Sequence, residues 1–266
     1  MIEEKQMVVS LSQLFKTFDA SHPFTVPANW LQGRTIYGGL TAALSLEAVR
    51  QSIPLDLPPL KSAHVTFISP STQEQVFFSK VLRQGKSVTT VAVECLSAGE
   101  LTLQMTMVFT AHRESPLQHN FFQPPNLEAP QHLASEFERR KAPPCVYNFD
   151  MRPATGSAAP FSGANHPELQ VWVKHLDAEG VDPVVALIAL ADALPPAAVT
   201  VLTEPVPLST VSWTFDIVSA PEAGGWFLLK SSSQQAAGGY SLQDMEVWSE
   251  AGTLVLRGRQ TVAVFA

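Results

Sequence analysis

Eight stretches of the chain alternate polar and apolar side chains, or concentrate β-branched and aromatic ones, as half-buried strands of an antiparallel sheet do. Four fall in the first half, at 63–68, 75–82, 87–97 and 101–111, and four in the second, at 210–218, 226–233, 239–249 and 253–265. Each set follows one helix-like stretch. In the first half, Gly38-Gly39 lead into Leu40, Ala43, Leu44, Leu46 and Val49, and the pattern ends before Pro54. In the second, Asp182-Pro183 reads as an N-cap followed by proline at the first helical position, and Pro195-Pro196 stops a helix over 184–194. That second helix is apolar nearly all round, which predicts burial on most of its sides.

The two halves overlay. The strand starting at Ala63 parallels the one starting at Thr210, Val76-Phe77-Phe78 parallels Trp226-Phe227-Leu228, and Ala98-Gly99 parallels Ala251-Gly252 before a closing strand. Internal duplication explains this most simply. A helix followed by four antiparallel strands, repeated, predicts an α+β double hotdog: two antiparallel sheets, each wrapped around a long central helix. The two would pair edge to edge, removing an exposed edge from each. On pattern alone, a two-domain α+β protein of another topology fits as well. Between the blocks lies a proline-rich stretch with a charged run. The expected organisation is therefore 1–113 for the first hotdog, 114–142 for a linker with a short helix near 133–140, and 143–266 for the second.

Composition narrows the functional classes. Hydrophobic residues make up 45% of the 266 and charged residues 15%, enough to fill a core and too apolar for a disordered chain. A formal charge of −7 leaves no basic excess for nucleic acid. Two cysteines, Cys95 and Cys145, in unrelated contexts point to neither a disulfide framework nor a thiolate metal site. The charged N-terminus and the lack of an 18-residue apolar run lead to the expectation of a cytoplasmic protein with no membrane span.

Four motifs, in order along the chain, carry a family resemblance. Tyr37-Gly38-Gly39 is similar to a Phe-Gly-Gly segment, and His64-Val-Thr-Phe-Ile-Ser-Pro70 to a His-Ser-Tyr-Phe-Leu-Arg-Pro strand. Arg83-Gln-Gly-Lys-Ser87 resembles an Arg-Asp-Gly-Asn-Ser hairpin, and Gln170-Val-Trp-Val173 a Gln-Val-Trp-Ile strand. These are the motifs of the acyl-CoA thioesterase II (TesB-like) family of double-hotdog enzymes. The resemblance implies a water-activating trio of a helix aspartate, a strand hydroxyl and a last-strand glutamine, which fall here on Asp192, Thr210 and Gln260. It also makes Gly38, Gly39 and His64 candidates for oxyanion or substrate contact, and implies an acyl-CoA substrate, no cofactor, no metal and a homo-oligomer, a dimer of double hotdogs. Departures are Ser69 where the family commonly has arginine, and a shorter interval from Asp192 to Thr210.

The residues support the trio independently. Asp192 is the one charged side chain between Pro183 and Thr203, on a helix expected to be buried, where an unpartnered carboxylate costs several kcal/mol. Gln260 interrupts an apolar closing strand, and an inward amide there needs partners. Thr210, Ser212 and Thr214 share one face of a regular strand, so Ser212 is an alternative source of the hydroxyl. Together, a carboxylate base and two polar groups can hold a water for attack on a thioester carbonyl, with backbone N–H groups near Gly38-Gly39 meeting the oxyanion. Val184, Leu187, Ile188, Trp213 and Phe215 are candidates for an acyl channel, and Arg34, Lys61 or Arg83 for the phosphates of coenzyme A. A Gly-x-Ser-x-Gly elbow is missing, the seven histidines are scattered, and no histidine follows His175 to pair with Asp192 as a hydratase would need. The rival class is a non-catalytic hotdog protein that binds acyl thioesters or partner chains.

Overall fold

The computed structural model describes residues 8–72, 74–126, 128–135 and 142–265. Helix α1 (Leu11–Thr17), the short strands β1 (Phe24–Thr25), β2 (Leu31–Gln32) and β3 (Thr35–Ile36), and helix α2 (Gly38–Ser52) come first. Strands β4 (Leu60–Phe67), β5 (Glu74–Gln84), β6 (Val88–Ser97) and β7 (Glu100–Thr110) complete the first half. The second half runs β8 (Phe149–Pro153), β9 (Glu168–His175), α3 (Pro183–Ala191), β10 (Leu208–Ile217), β11 (Phe227–Ala237), β12 (Tyr240–Ser249) and β13 (Leu254–Val264). All eight patterned stretches are strands, displaced by a few residues at most. The patterns did not disclose α1, although Ser10 and Gln13 form its reciprocal capping box.

Eleven strands make one antiparallel sheet in the order β1-β5-β6-β7-β4-β10-β13-β12-β11-β9-β8. The two halves join where β4 pairs with β10, His64 opposite Thr214 and Val65 opposite Trp213. Each central edge is thus covered by the other half, as the edge-to-edge expectation held. Alternation along the strands sets the faces. Ala63, Val65, Val91, Val93, Met105 and Met107 point inward and are buried. Trp213, Phe215, Met245 and Val247 do the same in the second half. Each fully buried side chain of this size contributes roughly 1.5–3 kcal/mol.

Helices α2 and α3 lie in this core, packed on one another. Helix α2 has 15 residues and keeps Leu40, Leu44, Leu46 and Val49 buried. Helix α3 is shorter than the pattern predicts, nine residues, because it ends at Ala191. Its start is as expected: the Asp182 carboxylate accepts from the N–H groups of Val184 and Val185 at 2.9 and 3.1 Å. Asp192 is the C-cap, with φ −92° and ψ 9°, so its side chain leaves the helix at its carbonyl end.

The described part of the proline-rich segment packs on the outer face of the second half. Phe122 and Leu133 pack against a satellite cluster of Trp172, Leu228, Trp248 and Leu254, and Trp172 Nε1 donates to the Glu128 carbonyl at 3.1 Å. Of the short helix expected at 133–140, residues 136–140 lie outside the described residues. No described helix is long and apolar enough to cross a membrane.

Candidate active site

The start of α2 and the end of α3 approach so closely that side chains are excluded between them. A Cβ on Gly38 would stand 3.0 Å from Asp192 Oδ2, and one on Gly39 would stand 2.9 Å from Asp192 Cβ and 2.7 Å from the Tyr37 ring. Glycine at both positions is what lets Asp192 reach the first turn of α2. Tyr37 fastens the junction by donating its hydroxyl to the Ala189 carbonyl at 2.8 Å, and burial raises its pKa.

Asp192 is partly buried and meets two donors. Gln260 Nε2 donates to Oδ1 at 2.7 Å, and the Gly39 backbone N–H also hydrogen-bonds the carboxylate. Burial pushes the carboxyl up to about 6, while those two hydrogen bonds pull in the opposite direction. Near neutral pH it is therefore a mostly ionised carboxylate whose proton affinity suits a general base.

Gln260 is 3% exposed and sits directly across the sheet from both Trp213 and Gln243. Gln243 Nε2 donates to Gln260 Oε1 at 3.0 Å, and the Ala197 N–H donates to Gln243 Oε1 at 2.5 Å. Pattern reading singled out Gln260 and missed Gln243. The signal was available: Ser241, Gln243, Met245 and Val247 share the inward phase of β12, and an amide on that face requires partners.

A cavity of about 420 Å³ opens beside Asp192. Its wall includes Gly38, Thr41, Phe67, Ser69, Pro196 and Thr210. Thr210 reaches it because of a bulge. Thr210 pairs with Val262 and Ser212 with Thr261, so Val211 is an extra residue between them. Thr210 consequently faces inward with Trp213, and Ser212 faces outward with Thr214. This corrects the expectation that the three hydroxyls share a face, and it removes Ser212 as the alternative.

Other candidates are redistributed. His64 is exposed on the outer face of β4, between the buried Ala63 and Val65, and its Nδ1 hydrogen-bonds Thr214 Oγ1 at 2.7 Å. Strand alternation thus turns it away from the cavity, against the expected substrate contact. Gly38 is on the cavity wall and Gly39 is not. Leu187, Ile188, Trp213 and Phe215 are buried core residues rather than an acyl channel, and Val184 packs against that core. Lys61 Nζ is held by the Ile217 carbonyl at 2.9 Å, and Arg83 stands on the far part of β5. Arg34 lies in the hairpin turn between Gln32 and Thr35, both on the cavity wall. Among the described residues no group of His, Cys, Asp and Glu could hold a metal ion.

Comparison with known proteins agrees with this architecture. A family model for the acyl-CoA thioesterase N-terminal domain matches residues 26–110, and one for the C-terminal domain matches residues 124–264. No curated protein sequence matches significantly. Among solved structures, a conserved hot dog fold protein of unknown function from Alicyclobacillus acidocaldarius superposes with a TM-score of 0.82. It shares 25% identity, over 93% of this chain and 97% of that one. An acyl-CoA thioesterase II, TesB2, from Mycobacterium marinum has a TM-score of 0.70 at 22% identity, covering 86% of this chain and 88% of its own. A tesB protein from Mycobacterium avium subs paratuberculosis has 0.72 at 18%, covering 91% of each chain. With both of its halves matched in order, this chain belongs to the acyl-CoA thioesterase family, and its fold is the double hotdog.

Proposed function

We propose that the protein hydrolyses acyl-CoA thioesters to a carboxylic acid and coenzyme A, with Asp192 as general base. One observation carries this reading: a carboxylate of raised proton affinity, held by Gln260 and Gly39, opens onto a cavity shared with Gly38 and Thr210. Gln260 holds Oδ1, and Oδ2, which lies beside Gly38 on the cavity wall, is the oxygen assigned to accept a proton from water. The Thr210 hydroxyl helps to orient that water. Attack on the thioester carbonyl places negative charge on its oxygen, and the N–H groups in the first turn of α2 favour that charge. Gly38 is the candidate donor there, because Gly39 is already engaged. Collapse of the tetrahedral species expels the thiolate of coenzyme A, which takes up a proton, and no covalent enzyme intermediate forms.

Arg34, at the turn of the hairpin flanking the cavity, is the cation placed to meet the phosphates of coenzyme A. A dimer of double hotdogs remains the expected assembly, and sedimentation velocity reads it. The enzymatic reading is tested by following free thiol released from a panel of acyl-CoA esters. Steady release by the wild type and its loss in Asp192→Asn support the enzyme. Saturable binding with no turnover at any chain length supports the binding module instead.

A further inference from the structure

A primary amide can donate from one end and accept at the other, and the two ends occupy nearly the same volume. Nothing in the shape of Gln260 alone decides which end meets Asp192. The decision is made two residues away. Pro195 and Pro196 have no N–H, so the first backbone donor after α3 and its following prolines is that of Ala197, at the start of the 3-10 turn Ala197–Val201, where it has no partner within the turn. A backbone N–H can only donate. It therefore holds the oxygen of Gln243, which is 1% exposed and has no water to turn toward. With its oxygen held, Gln243 presents its nitrogen to Gln260 Oε1, and Gln260 in turn presents its nitrogen to the carboxylate.

We propose that Gln243 is a positioning residue that sets the polarity of the amide relay from Ala197 to Asp192 and so keeps a donor on the catalytic carboxylate. The inference rests on the reading of Asp192 as the base, and it assigns to β12 a part in the site. Each amide nitrogen and oxygen in the relay has a partner, and reversing any one member reverses those after it.

Gln243→Glu breaks the polarity with almost no change in shape. When ionised, the new carboxylate accepts the Ala197 N–H but has no proton to offer. Gln260 then turns its nitrogen toward position 243 and its oxygen toward Asp192, which now retains its proton to higher pH. Gln243→Met fills the space without imposing a reversal. The direct readout is the pH titration of the Asp192 carboxyl carbon by 13C NMR in substrate-free protein, so it reports the relay whether or not the chain turns over acyl-CoA. The expected result is a midpoint at least about one pH unit higher in Gln243→Glu than in the wild type, with Gln243→Met between them. Kinetically, kcat at pH 6 falls about fivefold in Gln243→Glu, as a one-unit rise in the midpoint requires, while KM changes less than about twofold. In a Gln260→Leu background the same substitution produces no further shift, because the intermediary is gone. An unchanged midpoint in folded Gln243→Glu overturns the proposal. So does an equal shift with and without Gln260, which would mean the new charge acts directly. Should Gln243→Glu fail to fold, the cycle of Gln243→Met with Gln260→Leu decides: non-additive losses in kcat support the relay, and additive ones contradict it.

Discussion

The two halves are built on the same strand pattern, yet their inner walls differ in kind. Across β6 and β7 the inward residues Val91, Val93, Met105 and Met107 form an apolar wall. Across β12 and β13 the comparable wall carries Ser241, Gln243 and Gln260, all buried. These four side chains need only volume complementarity, and conservative apolar swaps among them are expected to be mild. The second wall must find partners for the polar groups it buries: Ser241 meets Ser233, and Gln243 and Gln260 form a line that ends at Asp192. The first half contributes something else: the glycine start of α2, which comes close enough to give the carboxylate its Gly39 hydrogen bond. The site thus belongs to neither repeat alone. One half supplies side-chain chemistry and the other supplies backbone.

Substitutions can break that division in order of expected effect. Asp192→Asn removes the proposed base and should lower kcat by about 10²–10⁴-fold, measured by thiol release, with KM little changed. The same change has a sign in stability. The native carboxyl titrates near 6 against 3.8 for a free one, so the folded state holds its proton more tightly. This group's contribution to stability is then greatest below about pH 4 and falls as pH rises through about 6, by on the order of 3 kcal/mol. Urea unfolding from pH 4 to 7 should show that loss in the wild type and its absence in Asp192→Asn. Gln260→Leu removes a hydrogen bond to a charged group, for about a 10- to 100-fold fall in kcat, and moves the pH midpoint of activity upward.

Gly39→Ala probes the backbone half of the comparison. Its methyl would overlap the Tyr37 ring and Asp192 Cβ, so a loss of about 1–3 kcal/mol in stability and a lowered Tm are expected, with reduced kcat. Thr210→Val tests the bulge: about a tenfold loss in kcat is expected, whereas Ser212→Ala and His64→Ala, on the outer face, should stay within about twofold of wild type.

Much of this was legible in the residues. Period-two alternation marked eight strands, because a sheet with one buried face imposes that period wherever it lies. Asp182-Pro183 marked a helix start because both residues act locally. Asp192 and Gln260 stood out as polar groups in apolar surroundings, and the structure brings their side chains to 2.7 Å. What escaped was decided by partners distant in sequence. No local feature announces the bulge at Val211, which belongs to the pairing of β10 with β13. The commitment of the Gly39 N–H to Asp192 depends on how α2 packs on α3. His64 looked chemical by residue type, but its neighbours Ala63 and Val65 determine which way it points. Gln243 obeyed the same rule as Gln260 and was hidden only by the charged neighbours Asp244 and Glu246 on the opposite face.

The central claim is that an ionised Asp192, poised by burial against two donors, takes the proton from water. The pH dependence of kcat/KM for acyl-CoA hydrolysis tests it most directly. A rise through a midpoint near 6 that reaches a plateau above it, and that vanishes in Asp192→Asn, is the predicted result. A profile that is flat between pH 5 and 7, or one that Asp192→Asn retains at comparable rate, would contradict it.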